Sequence, residues 1–332
     1  MPTTVTKTIG SGGGRDYSDP ATWEAAAPAN LVTSDQVWRG ECYNDSTFTG
    51  TFTIAGSTVD STRYKELTAA AGQSFADTSS NALRFNSSNG VTIVGSGGYS
   101  TQVVCSENYF RMSRLQVGNS ANNSNAFSSG NTGIDINQCA FQSGNSVGAT
   151  AATVTISTSS KIRNSFIRTT NTSWPALELA NDASAYNVTL ISLNSNTVRG
   201  ISFFYANGTV QNCAQFGFAL ASKTANSSGV TITTSYTDVV GPTGGWTGSI
   251  AFSTATFTNV TAGSENMKLV SGSALLDVGT TDSTNAATDI FGTSRPSGSA
   301  YDVGCYEYVA SVASALTKSF THQFARIRAS NY

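Results

Sequence analysis

At 332 residues, with a formal net charge of −2 and a sequence pI near 5.4, the chain offers no basic surplus for nucleic acid or an anionic membrane surface. Charged residues are only 11% of the chain, and Gly, Ser, Thr and Asn supply most of the polar vocabulary, unlike a typical cytosolic enzyme surface. The 17 Phe, 12 Tyr and recurrent Val/Ile pairs argue for a packed core and against disorder.

In chain order, residues 5–9 alternate as a short strand and lead into Gly10-Ser11-Gly12-Gly13-Gly14. No Gly-Lys-Ser/Thr follows and no long apolar strand precedes it, so the loop is not read as a phosphate cradle. Asp19-Pro20 then opens a helix, with Asp19 as N-cap and Pro20 at the first helical position, and Pro28 closes it early. This helix, with Val37, Trp38, Phe48, Phe52 and Ile54, is expected to plug the open end of a β-stack. Strands are expected over 64–67 and 91–94, separated by Ser-, Asn- and Gly-rich loops.

From residue 110 to 237 one short pattern recurs: apolar, two free positions, small or apolar, one free position, then usually apolar. Its copies start at Met112, Ile136, Ile162, Val188, Val210 and Ile232, which are 24, 26, 26, 22 and 22 residues apart. A period of this length marks stacked repeats, each unable to bury its apolar face without a neighbour. Each copy alternates Val, Ile, Thr and Phe with Asn, Ser and Thr, so the unit is a strand and not a helix. An antiparallel sandwich also has short strands between turns, but it requires no such recurrence. The expected fold is all-β: a single-stranded right-handed parallel β-helix with Ile136, Ile162 and Val188 stacked in one column, a short N-terminal capping helix and a C-terminal arm. The last copies end in Gln215 and Thr237, so the repeat is expected to loosen there. Organisation follows as 1–55 cap and first rungs, 56–308 β-helix body with its closing segment, and 309–332 an amphipathic tail.

Cys42, Cys105, Cys139, Cys213 and Cys305 are odd in number and scattered, and read as buried small hydrophobes. Cys139 and Cys213 share one repeat position. After Tyr308 the chain carries no Asp or Glu. Leu316, Phe320, Phe324 and Ile327 form an apolar stripe at helical spacing, joined by Lys318, Arg326 and Arg328. The tail either folds back on its own body or docks on a neighbouring subunit or protein, and the second is the favoured reading.

Three segments then stand out: Ser271-Gly272-Ser273 with Asp277-Val278-Gly279, Asp289-Ile290-Phe291-Gly292 with Arg295-Pro296, and Tyr301-Asp302-Val303-Gly304-Cys305-Tyr306-Glu307. Together they resemble the closing segment of pectate-lyase-like right-handed β-helix proteins from phages and bacterial surfaces. The opening, Ile9-Gly10 through Arg15-Asp16-Tyr17 to Trp23-Glu24, is similar to the start of phage virion β-helix proteins. The resemblance implies that Asp277, Asp289, Arg295, Asp302 and Glu307 are structural and tie down the last coil by bidentate pairing. Carboxylates beside a guanidinium could also cleave sugars, which is the alternative.

The only histidine, His322, lies in the tail away from any nucleophile, and no metal-ligand spacing occurs. No catalytic residue, metal or cofactor is therefore assigned. A depolymerase would need two carboxylates, for which Asp135, Glu178, Asp182 and Asp238 are the candidates on the body. The expected function is a non-enzymatic phage virion structural protein, a capsid decoration or cement protein. A tail fibre or spike that binds or cleaves host surface polysaccharide is the alternative. Expected partners are two further copies in a homotrimer and the major capsid protein or other virion proteins, with a host glycan on the tail reading. No signal peptide or membrane span is evident, so the expected location is the virion, after synthesis in a host cytoplasm.

Overall fold

A computed structural model describes residues 1–95, 101–118, 125–144, 152–170, 172–205, 207–220, 229–242 and 244–310. Within them the chain winds as a right-handed parallel β-solenoid of about seven turns with very little helix. One turn passes through three sheets in order, as in Arg111–Ser113, Gln116–Gly118 and Phe127–Ser129. The first and second sheets have nine strands each and the third has six. All pairings within the three sheets are parallel, because each strand meets its equivalent one turn later, and the remainder of the turn serves as the crossover.

Alternation places one residue type inward at each level. Leu67, Met112, Ile136, Ile162, Ala185, Val210 and Ile232 stand in register along the first sheet. Ile93, Val117, Phe141, Ile167, Leu190, Gln215 and Thr237 do so along the second. The fourth repeat therefore begins at Ala185 and not at Val188. Ile162 stacks on Ala185, while Val188 occupies the fourth position of the pattern, level with Ser165 and Cys213. The corrected spacings between first positions are 24, 26, 23, 25 and 22 residues. An inward alanine had hidden the true start, since Val188 offered a stronger apolar match three residues later.

The corner between the first and second sheets explains the pattern's free and small positions. Arg114, Gln138, Asn164, Asn187, Asn212 and Thr234 all adopt the left-handed conformation there, with φ between 48° and 62°. Asn is the non-glycine residue best suited to that region. The next residue is small or apolar and wholly buried, and where it carries a hydroxyl or thiol it donates to the carbonyl two residues back. Ser165 Oγ donates to Arg163 O at 2.7 Å, Ser235 Oγ to Thr233 O at 3.0 Å, and Cys213 Sγ to Gln211 O at 3.4 Å. All five cysteines are free and buried.

At the N-terminal end, Asp19 and Thr22 form a reciprocal capping box on the helix Pro20–Ala25, which ends before Pro28. That helix presents Trp23, wholly buried, to the end of the coil. Gly40 makes the room: a Cβ there would stand 2.8 Å from Trp23 Cε2 and 2.6 Å from Ile9 Cδ1. Val37 and Trp38 belong to the strand Gln36–Cys42, and Phe48, Phe52 and Ile54 begin the second and third sheets. The plug is thus the helix and the turn Leu31–Ser34, while the other expected plug residues are already coil. Arg15 and the main chain of Gly12 both bind Asp45, so a carboxylate already occupies the glycine loop.

At the far end, Gln215 and Thr237 keep their inward places. Both are wholly buried, and Gln215 Oε1 accepts from Ile201 N at 3.1 Å. The inward column persists there through hydrogen bonds, but the pairing does loosen: the register of Ala214–Leu220 on Thr189–Arg199 shifts after Ile191, and Tyr236–Thr237 pairs over two residues only. Trp246 joins the main core at this end.

Candidate functional site

The closing segment does not form a last rung. From about residue 250 it leaves the coil and runs along the outer face of the second sheet. That face is apolar where an ordinary solenoid face would be polar. Ala140, Phe166, Ile191, Ala214 and Phe216 point away from the coil and are covered by Phe257, Met267, Leu269, Leu275, Ile290 and Val303, with Phe75 and Leu83 from the insertion between the strands Lys65–Ala69 and Thr92–Val94. The result is a second core, separate from the one inside the coil. Each of these large side chains contributes roughly 1.5–3 kcal/mol of burial.

Polar anchors set the register of this strap on the coil, and most come from the left-handed corner. Gln138 Nε2 donates to Asp289 O at 2.6 Å. Asn187 Nδ2 donates to Asp302 O and Gly304 O, both at 3.3 Å. Asn212 holds Thr280 from both sides, accepting from its N–H at 2.8 Å and donating to its carbonyl at 2.7 Å. Thr189 Oγ1 accepts from Cys305 N at 3.0 Å. A Cβ on Gly304, whose φ is 98°, would approach that hydroxyl to 2.5 Å. Sequence reasoning missed these anchors, although Asn164 and Asn212, each directly preceding the fourth repeat position, were a visible signal; the misplaced register of its repeat hid Asn187.

The five residues expected to be structural do meet, in the part of the strap that follows residue 275. Arg295 and Glu307 pair at 3.1 Å with both side chains fully excluded from solvent. The guanidinium does not pair bidentately with one carboxylate: Nη1 also donates to Asp302 O, and Nη2 donates to Gly304 O, each at 2.9 Å. Every carboxylate here accepts from the main chain. Asp289 takes the N–H groups of Phe291, Thr293 and Glu307, and Asp302 takes those of Asp277 and Tyr308. Glu307 takes those of Ser297 and Asp302, and Asp277 takes that of Ala300. Burial pushes the carboxyls of Asp289, Asp302 and Glu307 up and the Arg295 guanidinium down, opposed by these hydrogen bonds and by the ion pair. The cluster is a knot of main-chain acceptors.

The four body carboxylates are dispersed. Asp135 lies on the outer face of the first sheet in a ladder of alternating sign, Arg111, Asp135, Lys161, and Arg163 grips it at 2.9 and 3.1 Å. Glu178 is on the third sheet between Thr155 and Ser202, its carboxyl pushed up by burial. Asp182, in the turn between the third and first sheets, accepts from Ser159 N and Oγ, which hold its carboxyl below the usual range. Asp238, after the second-sheet strand Tyr236–Thr237, accepts from Gly217 N at 2.8 Å and is pushed up by burial. No two share a strand position, so these four do not assemble a facing pair.

A cleft of about 340 Å³ lies where the strap meets the insertion, lined by Arg84, Phe85, Asn86, Gln142, Arg168 and Glu265 among others. Arg168 donates to Gln142 Oε1 at 2.6 Å and stands 2.8 Å from Glu265 Oε1. Glu265 Oε2 and Arg84 Nε are buried without a hydrogen-bond partner. The cleft therefore offers one acceptor and one donor beside the partly exposed ring of Phe85. Among the described residues, no group of three or more His, Cys, Asp or Glu could hold a metal ion, and no helix is long and apolar enough to cross a membrane. Leu316, Lys318, Phe320, Phe324, Arg326, Ile327 and Arg328 lie outside the described residues. No protein-family model matches the chain, and no curated protein matches it.

Proposed function

We propose that the protein is a non-enzymatic structural component of a phage virion, a capsid decoration or cement protein built as a homotrimer. One observation carries the reading: each carboxylate of the closing knot is taken up by main-chain N–H groups, as befits a part selected for persistence. Charge supports it too, because Asp135, Glu178, Asp182 and Asp238 lie at separate places on the body and form no facing pair. The tail, with its apolar stripe and its cations, is the attachment element, and an acidic surface of the major capsid protein is its natural partner.

A second reading has its own observation. The cleft beside Phe85 combines an aromatic ring, two guanidiniums, two amides and a carboxylate, a set that suits sugar hydroxyls and favours a tail fibre or spike binding host glycan.

Immunogold labelling of particles from the source virus separates these readings. Label over the shell is expected. Label confined to the tail tip would favour the fibre, and particles without label would overturn both. Release of reducing ends from host polysaccharide by the purified protein would overturn the non-enzymatic assignment.

A further inference from the structure

One buried nitrogen joins the capping helix to two separate parts of the coil. Lys65 is 1% exposed, and its Nζ donates to Glu24 Oε1 at 2.7 Å, to Ala55 O at 2.6 Å and to Glu107 Oε2 at 3.0 Å. Glu24 comes from the capping helix, Lys65 from the first sheet, and Glu107 from the turn that follows the third-sheet strand Val103–Cys105.

The two carboxylates differ. Glu24 Oε1 also accepts from Ala55 N at 2.9 Å, and the Glu24 side chain keeps 15% of its surface. Glu107 is 4% exposed, accepts from Ser57 N through Oε2 at 2.9 Å, and has no partner at Oε1. One ammonium thus faces two carboxylates in a largely buried site, and one carboxylate oxygen has no protein partner. A resting ion pair gains nothing from the second acid, because a buried carboxylate without full partnering is costly.

We infer that Lys65 and Glu24 condense to an isopeptide bond, with Glu107 as the proton carrier. Glu107 accepts a proton from the ammonium along their hydrogen bond and frees the amine. Relayed back through Nζ, which bonds both carboxylates, that proton reaches Glu24, so that the amine meets a neutral carboxylic acid. The nitrogen attacks Glu24 Cδ, and the N–H of Ala55, already bonded to Glu24 Oε1, stabilises the oxyanion. The second proton lost by the nitrogen travels by the same route to the departing oxygen. The C–N bond forms, the C–O bond breaks, and the expelled water carries both protons and one Glu24 oxygen. Glu107 ends as it began, and no oxidant or other reactant is needed. Holding amine and acid in contact replaces a bimolecular encounter, and exclusion of bulk water favours the amide over its hydrolysis. The partial exposure of Glu24 gives the expelled water a way out.

The product would weld the cap to the first sheet across 41 residues of chain, so the end of the coil could not fray. This inference stands whether the virion reading holds or fails.

The test is the intact mass of the denatured full-length protein, followed by fragmentation. Expected is a mass one water below that of the sequence, with the deficit placed on a branched peptide joining residues 24 and 65. Glu107→Gln is expected at full mass with an unchanged circular dichroism spectrum, and Lys65→Met is expected at full mass as well. Wild-type protein at full mass overturns the inference, as does a water deficit located elsewhere in the chain. The wild-type measurement decides even if a variant does not fold.

Discussion

Arg295 illustrates how a single ion can organise a segment. Its partners are one buried carboxylate and two main-chain carbonyls, so removing the guanidinium strands Glu307 without a counter-charge. Truncation of one partner of a buried pair costs about 3–5 kcal/mol. Arg295→Met is therefore expected to lower the urea midpoint strongly while leaving the far-ultraviolet spectrum of the coil in place. An unchanged midpoint would show that the knot is redundant. The cysteines make a second residue-scale prediction. Burial pushes the thiols of Cys105, Cys139, Cys213 and Cys305 up to about 12, and that of Cys42 in the same direction. The folded state then holds protons that the unfolded state releases above about pH 8.5. Their contribution is intact below that pH and is lost progressively as pH rises toward the folded values. The urea midpoint should fall between pH 8 and pH 10, and a thiol reagent at pH 8 should label the protein only after unfolding. Rapid labelling of the native protein would contradict the burial.

The strap owes its position to the corner of each turn. Asn212 makes two hydrogen bonds to Thr280, and its own left-handed backbone is what aims the side chain outward. Asn212→Ala should cost about 1–3 kcal/mol, since two part-buried hydrogen bonds to the main chain of Thr280, worth about 0.5–1.5 kcal/mol each, are lost. It should also speed proteolysis or hydrogen exchange over residues 275–308 more than within the coil. Equal protection of the two regions would mean that apolar contact alone holds the strap. Gly304→Ala is expected to act alike, through a positive φ and a clash with Thr189 Oγ1, and removal of that hydroxyl by Thr189→Ala should relieve only the clash.

The described residues form two cores divided by one sheet. Inside, the coil stacks identical positions; outside, the strap covers a face that would otherwise expose Phe166, Ile191 and Phe216 to water. A chain ending after Ser249 should keep its strands but aggregate, whereas one ending after Tyr308 should remain soluble and folded. The reason lies in the knot, whose last hydrogen bond is donated by Tyr308 N to Asp302 Oδ2. Sedimentation should find the full-length protein trimeric at micromolar concentration and the chain truncated after Tyr308 monomeric. A truncated protein that still forms trimers would move the docking surface onto the coil.

The stacked strands, the N-cap at Asp19, the helix stop before Pro28 and the burial of the cysteines were legible in the sequence, because each rests on local spacing or local backbone chemistry. Motif resemblance also singled out Asp277, Asp289, Arg295, Asp302 and Glu307, which hydrogen bonds bring together in the strap. The register of the fourth repeat was not. Ala185 is too small to announce an inward position, and only pairing with Ile162 identifies it. Nor could the sequence say that the closing segment runs along the side of the coil, since the outward Phe166 and Phe216 resemble core residues until both faces of the sheet are known. The meeting of Glu24, Lys65 and Glu107 was equally hidden. Separations of 41 and 42 residues carry no local signal, and it is the winding of the coil, which returns the chain to the same edge after each turn, that brings the three side chains together.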